Sequence, residues 1–325
     1  MTTNKPVDKL INQIVQGDCI EIMRQIPDET VDVTFADPPF NLKKLYSNYN
    51  DKKSAEEYLA WCKDWITEMV RITKPTGSIF IHNIPKWLTY FVGYLNDIAI
   101  FRHWIAWDAM GSPLGKTLLP NHYGILYYVK SKDYKFNDIR SLHKRCRKCG
   151  LILKDYGGKK DQLHQFGAII SDVWTDLHRI RHKTRRDEHP CQLPVPLLER
   201  LLLMSTDEGD VVLDPFMGTG TTAIAAKKLG RQYIGIDIDH KYVEITKDKL
   251  INTKETKLGD SYVSIYLNKV ATIRDKDWDN IKDYFEIADE PLELEKTAIK
   301  LLTETEKTQA PLLVSEKRHH YSAGK

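Results

Sequence analysis

A glycine-bearing turn is the feature of this sequence that points most directly to chemistry. Residues 214–220 read Asp-Pro-Phe-Met-Gly-Thr-Gly and stand between a predicted strand, 210–213, and a predicted helix, 221–229. Glycines let such a turn approach a ligand closely at the carboxyl edge of a parallel sheet, which is where α/β folds bind ligands. Asp237 ends the next predicted strand, where a carboxylate can accept hydrogen bonds from both hydroxyls of a ribose. Turn and acid together predict a nucleoside site.

The kind of nucleoside follows from what the turn lacks. Thr221 and Ala223 follow the turn without the third glycine of a dinucleotide fingerprint, and the Gly-Lys-Ser/Thr of a phosphate loop is missing. Since neither cradle for a pyrophosphate is present, a sulfonium nucleoside fits the turn better.

A second motif, Asp37-Pro38-Pro39-Phe40, directly follows the predicted strand 31–36. The two prolines remove two N–H donors and stiffen the turn. The Asp37 carboxylate and the Pro38 carbonyl are then fixed acceptors, with the ring of Phe40 beside them. Such a site suits the exocyclic amine of a nucleobase, whose two N–H groups the acceptors bind while Phe40 stacks on the base. As a purely structural turn, Asp-Pro-Pro would be unremarkable.

With both motifs, the sequence resembles the DNA amino-methyltransferases that use S-adenosylmethionine. Because Asp-Pro-Pro-Phe precedes the glycine turn, it resembles their circularly permuted β group, over residues 12–252 apart from much of 131–188. The resemblance implies an α/β, Rossmann-like class I methyltransferase sheet, mostly parallel, with seven strands and one antiparallel edge hairpin. It also implies S-adenosylmethionine as cofactor and a catalytic role for Asp37, Pro38, Pro39 and Phe40.

The resemblance further assigns the cofactor contacts residue by residue. Asp18, in Gln16-Gly17-Asp18, matches an acid that meets the cofactor adenine, and Asp237 matches the ribose-binding acid. Residues 189–192, His-Pro-Cys-Gln, match a His-Pro-Thr-Gln segment that packs on the methionine part, with Cys191 as a departure. The cofactor residues expected in full are Asp18, Asp37, His189, Gln192, Asp214, Phe216, Gly218, Gly220, Thr221 and Asp237.

The expected target is N6 of adenine, with N4 of cytosine as the alternative. A charged acceptor such as Asp37 polarises an N–H more strongly than a hydroxyl does. In the resembled family, Asp before Pro-Pro usually accompanies adenine, whereas Ser usually accompanies cytosine. Tyr46 and Tyr49 are candidates to line the base pocket, or else ordinary loop aromatics.

Three other readings of these motifs compete with this one. Pro190-Cys191-Gln192 resembles the nucleophile segment of cytosine carbon-5 methyltransferases, which however follows the glycine turn and pairs with a Glu-Asn-Val that is absent here. A protein or RNA amino-methyltransferase would usually carry Asn in place of Asp37. A catalytically dead DNA-binding protein would not be expected to keep both motifs intact.

The elements around the motifs follow an α/β pattern. Strands are predicted at 31–36, 77–82, 104–107, 123–129, 210–213 and 232–237, and helices at 87–95, 195–204, 221–229 and 242–251. Ser54-Ala-Glu-Glu57 is a capping box that opens a helix with an apolar stripe. Lys74-Pro-Thr-Gly77 is expected to end that helix. Alternating strands and helices indicate a mostly parallel sheet covered on both faces.

The pattern divides the chain into four parts. Residues 1–130 and 189–252 form the two parts of a catalytic domain, 131–188 an inserted target-recognition region, and 253–325 a C-terminal extension of unknown role. Residues 140–189 hold thirteen Lys and Arg against six Asp and Glu. A dense cationic strip within them predicts DNA contacts, through Arg179, Arg181, Lys183, Arg185 and Arg186. Cys146 and Cys149 have the spacing of half a zinc site. The favoured interpretation is that they are two ordinary thiols.

Composition indicates the expected compartment. The chain has 325 residues, 42% of them hydrophobic and 29% charged, and a formal net charge of +3, which are globular values. Five cysteines in a chain of this length do not suggest a secreted disulfide scaffold, and neither a signal peptide nor a membrane span is visible. We therefore expect a cytoplasmic protein. The resemblance to DNA amino-methyltransferases further implies a monomer or homodimer that acts on double-stranded DNA, with a cognate restriction endonuclease as a possible partner.

Overall fold

The computed structural model describes residues 6–42, 51–108, 118, 121–141, 168–177, 192–255 and 273–274. A 3-10 helix at Pro6–Lys9 precedes the first strand. The described strands are β1 (Gln13–Gln16), β2 (Val31–Ala36), β3 (Thr73–Asn83), β4 (Ile100–Asp108), β5 (His122–Val129), β6 (Ile139–Ser141), β7 (Ala168–Ile169), β8 (Val173–Trp174), β9 (Val211–Asp214), β10 (Gln232–Asp237) and β11 (Ile273–Arg274). The described α-helices are α1 (Cys19–Met23), α2 (Ala55–Ile72), α3 (Pro85–Ile98), α4 (Val195–Ser205), α5 (Thr221–Lys228) and α6 (His240–Asn252).

Eight strands form the main sheet, in the order β1-β10-β9-β2-β3-β5-β4-β8. Strand β5 is antiparallel to both β3 and β4, and the remaining neighbours pair in parallel. This confirms the predicted α/β class and the antiparallel hairpin, which β4 and β5 form. The predicted count of seven strands was one too low. The additional strand, β8, has two residues, too few to show the alternation by which a sequence predicts a strand.

The sheet order brings the two motifs of the sequence to one edge. Strand β2 lies between β9 and β3, with Val33 opposite Val212 and Ala36 opposite Ile81. Every residue of β2 is buried, as expected for a central strand of a parallel sheet. Because β2, β9 and β10 run in parallel, Asp37, Asp214 and Asp237 all lie at their carboxyl ends.

Helices cover both faces of the sheet. One core cluster joins α1, α2 and α3 to the sheet, and a second joins α4 and part of α5 to the opposite face. The predicted capping box is present, since Ser54 and Glu57 cap each other at the start of α2. Its predicted apolar stripe is fully buried, at Tyr58, Cys62, Trp65 and Met69. Among the described residues, no helix is long and apolar enough to cross a membrane.

The start of β3 differs from the prediction. Lys74–Gly77 was expected to be a turn that ends a helix, but the strand already begins at Thr73. Thr73 pairs with Val31, and the register then shifts before Ser78 pairs with Val33. A Cβ on Gly77 would lie 2.6 Å from the Asp32 carbonyl, so glycine permits the close approach at this irregularity.

Parts of region 131–188 pack on the catalytic core. Asn137 donates to the carbonyls of Leu203 (3.0 Å) and Thr206 (2.9 Å) at the end of α4. Strand β8 joins the main sheet, and Arg200 pairs with Asp176 just beyond it at 2.6 Å. A small separate sheet has the order β11-β6-β7. The division of the chain at 131 and 188 stays a prediction, but both described ends of this region are fixed to the core.

Candidate active site

A cavity of about 340 Å³ opens at the carboxyl edge of the main sheet. Both sequence motifs contribute to its wall, together with the segment after β1. The predicted site residues that line it are Asp18, Asp37, Pro38, Pro39, Phe40, Gln192, Asp214, Phe216, Gly218, Thr221 and Asp237. The structure thus brings together residues from both predicted parts of the catalytic domain.

Asp214 holds the glycine turn in shape. One carboxylate oxygen accepts the backbone N–H of Phe216 at 2.9 Å, and the other accepts the hydroxyl of Thr222. The side chain is buried, and desolvation by burial raises the pKa of Asp214 to about 7. This carboxylate is therefore part of the frame of the turn as well as of the cavity wall.

Asp237 fixes the same turn from the neighbouring strand. Its Oδ2 accepts the backbone N–H of Gly218 at 2.8 Å, and its Oδ1 accepts that of Asp239 at 2.8 Å. Burial raises the pKa of Asp237 to about 6. Each carboxylate oxygen has a second lone pair, so the side chain keeps acceptor capacity for a ligand in the cavity.

Gly220 has a structural reason to be glycine. It is the N-cap of α5 with a φ of +86°, in the left-handed region that favours glycine. A Cβ there would lie 2.4 Å from Cγ2 of Thr246 on α6. Gly220 is absent from the cavity wall, so the structure gives it a role in helix packing, and its cofactor contact stays a prediction.

Two tryptophans of α2 support the Phe216 ring. Phe216 meets Trp61 and Trp65 edge to face, with ring centroids 5.5 Å and 5.2 Å apart. Trp61 also lines the cavity. Sequence reasoning missed Trp61, although its four-residue spacing from Trp65 places the two on one helix face.

Asp18 caps helix α1 and also lines the cavity. Its Oδ1 accepts the backbone N–H groups of Ile20 (2.9 Å) and Glu21 (3.1 Å) at the start of α1. This cap uses one of its two carboxylate oxygens. Contact with a cofactor adenine stays a prediction.

Side chains from three other elements hold the Asp-Pro-Pro-Phe motif. His82 Nδ1 lies 2.7 Å from Asp37 Oδ1. The Tyr58 hydroxyl donates to the Pro39 carbonyl at 2.6 Å, and Trp87 Nε1 donates to the Phe40 carbonyl at 2.7 Å. Sequence reasoning missed all three. Only His82 gave a usable signal, because it ends the strand predicted at 77–82, next to β2.

Two acceptors of this motif have no hydrogen bond within the part of the chain that the structure describes. They are Oδ2 of Asp37 and the carbonyl oxygen of Pro38. Both residues line the cavity. The neighbouring carbonyls of Pro39 and Phe40 are occupied, so the motif presents the two acceptors that its sequence predicts.

The charged side chains of the wall are mainly acidic. Among the described residues it is lined by five aspartates, whereas Lys53 is its one basic residue. The aspartates are Asp18, Asp37, Asp214, Asp237 and Asp239. Close carboxylates in a concave wall give a negative potential, which favours a cationic ligand.

Several predicted residues lie outside the described part of the chain. They are His189, Arg179, Arg181, Lys183, Arg185, Arg186, Cys146, Cys149, Tyr46 and Tyr49. Within the described ranges, no group of three or more His, Cys, Asp or Glu is placed to hold a metal ion.

Comparison with known proteins gives family matches over this same region. A DNA methylase family that covers N6 and N4 methyltransferases matches residues 31–248, which is more than half of the chain. The D12 class of N6 adenine-specific DNA methyltransferases matches residues 196–318. The first match includes both motifs of the cavity wall.

Curated relatives extend the similarity over most of the chain. Type II methyltransferase M.BamHI of Bacillus amyloliquefaciens is 44% identical over 283 residues, 85% of this chain and 66% of the relative. This chain thus spans just under two thirds of that protein. The DNA adenine methyltransferase YhdJ of Escherichia coli K12 is 32% identical over 267 residues, 76% of this chain and 89% of the relative.

Solved structures share the fold at lower identity. TTHA0409 of Thermus thermophilus, in complex with S-adenosyl-L-methionine, has a TM-score of 0.52 at 22% identity, over 74% of this chain and 94% of that chain. The cytosine-N4-specific PvuII DNA methyltransferase has a TM-score of 0.51 at 16% identity and covers 75% and 94%. Since the sheet, the cavity and the family match coincide, the chain belongs to the DNA methylase family of N6 and N4 methyltransferases.

Proposed function

We propose that this protein transfers the methyl group of S-adenosylmethionine to N6 of adenine in double-stranded DNA. The observation that carries the proposal is the pair of uncommitted acceptors, Asp37 Oδ2 and the Pro38 carbonyl, in one cavity with the glycine turn. An exocyclic amine has two N–H groups, and the two acceptors match them. The charged acceptor favours adenine, because Asp37 polarises an N–H more strongly than a hydroxyl would. The D12-class match and the name of YhdJ support the same base.

The cavity residues suit the cofactor by charge and by shape. The five aspartates of the wall favour a sulfonium, which carries a positive charge. Asp237 has lone pairs left for ribose hydroxyls, and the Phe216 ring, fixed by two tryptophans, gives an apolar surface. When bound, S-adenosylmethionine supplies an electrophilic methyl group. Gln192 and His189 are proposed to contact its methionine part.

The protein's contribution to the transfer is mainly positioning. Asp37 and Pro38 hold the amine so that its lone pair leaves conjugation with the ring and points along the line of attack. Phe40 packs beside the base, and its backbone is held by Trp87. Fixing two reactants in such a geometry contributes much of the acceleration in a displacement of this kind. No covalent intermediate with the enzyme is required.

DNA recognition is proposed for region 131–188. A stacked base cannot reach the cavity, so the target must be flipped out of the duplex. The strip Arg179–Arg186 begins two residues after Leu177, whose carbonyl accepts Trp107 Nε1 at 2.7 Å. Replacing one phosphate-contacting residue should reduce the salt slope of DNA binding by about one. A slope unchanged in the double variant Arg181→Ala, Arg185→Ala would place the DNA on another face.

The biological setting follows from the type II relatives. We propose that the enzyme protects its own recognition sequence against a cognate restriction endonuclease and acts in the cytoplasm, where that DNA lies. Both the partner and the compartment rest on the substrate and on the names of the relatives.

The test is to express the gene in a host that lacks adenine methylation, digest the DNA to nucleosides and separate them by mass spectrometry. N6-methyladenine should appear with the wild type and be absent with Asp37→Ala. N4-methylcytosine without N6-methyladenine would overturn the base assignment, and the absence of any methylated nucleoside would overturn the activity. Sequencing the methylome of the same cells gives the recognition site.

A further inference from the structure

A buried histidine stands directly behind the amine-binding acid. His82 is the residue after Ile81 on β3, and Asp37 is the residue after Ala36 on β2, so the parallel register of the two strands places them side by side. The distance from His82 Nδ1 to Asp37 Oδ1 is 2.7 Å. The side chains are 3% and 14% exposed, so this contact is shielded from water.

The protonation of the contact follows from its chemistry. An ionised carboxylate only accepts hydrogen bonds, so the His82 Nδ1 must carry the hydrogen. The other ring nitrogen, Nε2, is buried and has no hydrogen-bond partner within the described residues. Burying a polar atom without a partner costs free energy. Among the described residues, the surroundings of Nε2 therefore give no energetic reason for a histidine at this position. Among the described residues, the contact with Asp37 is the one polar interaction of the His82 ring, and it accounts for a histidine at this position.

Aromatic neighbours fix the plane of the imidazole. The centroid of the His82 ring lies 5.6 Å from Phe40, 5.3 Å from Tyr123 and 5.7 Å from Trp107. Packing on several sides leaves a buried ring little rotational freedom, so the Nδ1–H is aimed in one direction.

We propose that His82 is a positioning residue for methyl transfer, one that fixes the Asp37 carboxylate so that Oδ2 and the Pro38 carbonyl receive the target amine. This inference rests on the proposed amine transfer and assigns His82 no direct contact with the base. A single donor on Oδ1 leaves Oδ2 free while restricting rotation of the carboxylate. A carboxylate without this donor samples orientations that do not bind the amine, and a small misplacement of a reacting group can cost about 10²-fold in rate.

Two amide variants separate positioning from simple filling of space. In His82→Asn the amide nitrogen takes about the place of Nδ1 and can donate to Asp37, whereas in His82→Gln it takes about the place of Nε2. We expect His82→Asn to keep kcat within about fivefold and His82→Gln to lower it by about 10²-fold. Cofactor affinity by calorimetry should stay unchanged in both. His103→Asn is the matched control, since His103 also faces an aspartate, Asp172, but is 55% exposed and lies outside the cavity wall.

A second readout needs no turnover. An imidazole N–H held by a carboxylate away from water gives a slowly exchanging, downfield proton resonance in NMR. This resonance should be present in the wild type and lost in Asp37→Ala with His82 intact. Equal kcat for the Asn and Gln variants, or a resonance that survives Asp37→Ala, would overturn the positioning role. If the wild type methylates no DNA, the proposed function fails, and the resonance alone decides whether His82 holds Asp37.

Discussion

The two sides of the cavity are held in different ways. On the side proposed for the cofactor, hereafter the cofactor side, Asp214 and Asp237 accept backbone N–H groups from the glycine turn and from Asp239, just after β10. On the target side, the motif is held by side chains of other elements, His82, Tyr58 and Trp87. One side is a locally bonded turn, and the other is a tertiary assembly of side chains.

This difference predicts which property a substitution on each side should change. Damage to the cofactor side should change the shape of the turn and therefore cofactor affinity and local stability. Damage to the target side should leave the turn intact, because no hydrogen bond of Asp214 or Asp237 within the described residues involves the Asp-Pro-Pro-Phe motif. Loss of turnover at constant cofactor affinity is thus the signature of the target side.

The largest effect is expected from Asp37→Ala. In the proposed reaction its carboxylate contacts the amine mainly in the transition state, so kcat should fall by about 10³-fold, as for loss of one preorganised electrostatic contact. Initial rates at saturating DNA and cofactor measure this, and calorimetry should show a far smaller change in cofactor affinity than in kcat. Asp64→Ala, at an exposed position of α2, is the control. Near-normal turnover in Asp37→Ala would place the amine site elsewhere.

The next effect is a dependence of stability on pH that comes from the cofactor side. Burial raises the pKa of Asp214 to about 7 and that of Asp237 to about 6, above the values in the unfolded chain. Between pH 4 and pH 7 the folded state therefore binds more protons, so the free energy of unfolding falls as pH rises and levels off above pH 7. Each pKa unit contributes up to about 1.4 kcal/mol.

Asp214→Asn isolates this contribution, because an amide keeps hydrogen-bonding groups but does not titrate. Between pH 5 and pH 8, urea unfolding should show the wild type losing about 2 kcal/mol more than Asp214→Asn. Parallel pH profiles for the two proteins would mean that Asp214 is ionised throughout.

A smaller effect is expected for cofactor affinity. In Asp237→Ala the dissociation constant should rise by about 10- to 100-fold, since a hydrogen bond to a charged group contributes about 1.5–3 kcal/mol. Turnover at saturating cofactor should change much less. Asp248→Ala, at an exposed position of α6, controls for a lost surface charge. Unchanged affinity in calorimetry would refute the ribose assignment.

The last comparison is between the stability costs of substituting two glycines with similar backbones. Gly209 and Gly220 have φ values of +83° and +86°, but a Cβ meets nothing within 4 Å at Gly209 and Thr246 at 2.4 Å at Gly220. Gly209→Ala should cost about 1–2 kcal/mol for the backbone alone. Gly220→Ala should cost about 1–3 kcal/mol more for the steric conflict with α6. Urea unfolding gives both values. Equal losses in the free energy of unfolding would mean that α6 shifts away from the added methyl group without destabilising the fold.

The same contrast explains what the sequence could predict. Strands 31–36 and 232–237 were predicted with the bounds that the structure gives, because apolar runs bounded by turns are local signals. The capping box at Ser54 and the glycine turn are local in the same way. Most residues of the cofactor side belong to such local patterns, so the sequence predicted most of that side.

The target side depends on contacts that no local pattern carries. Tyr58 and Trp87 appear in the sequence as members of helical apolar stripes, and only the packing of α2 and α3 brings them to the Pro39 and Phe40 carbonyls. His82 needs the register of β2 and β3, which a sequence does not fix. Strand β8 was missed for a different reason, since two residues carry no period.

The most direct test of the central claim, that both sides open into one cavity where a methyl group passes to an amine, is a single-turnover reaction with cofactor labelled in its methyl group. The purified protein is mixed with unmodified duplex DNA, which is then digested to nucleosides and analysed by mass spectrometry. All transferred label should be found on N6 of adenine, and none should remain on the protein. Label on a ring carbon of cytosine, or a covalent protein adduct, would contradict direct transfer to an amine held by Asp37 and Pro38.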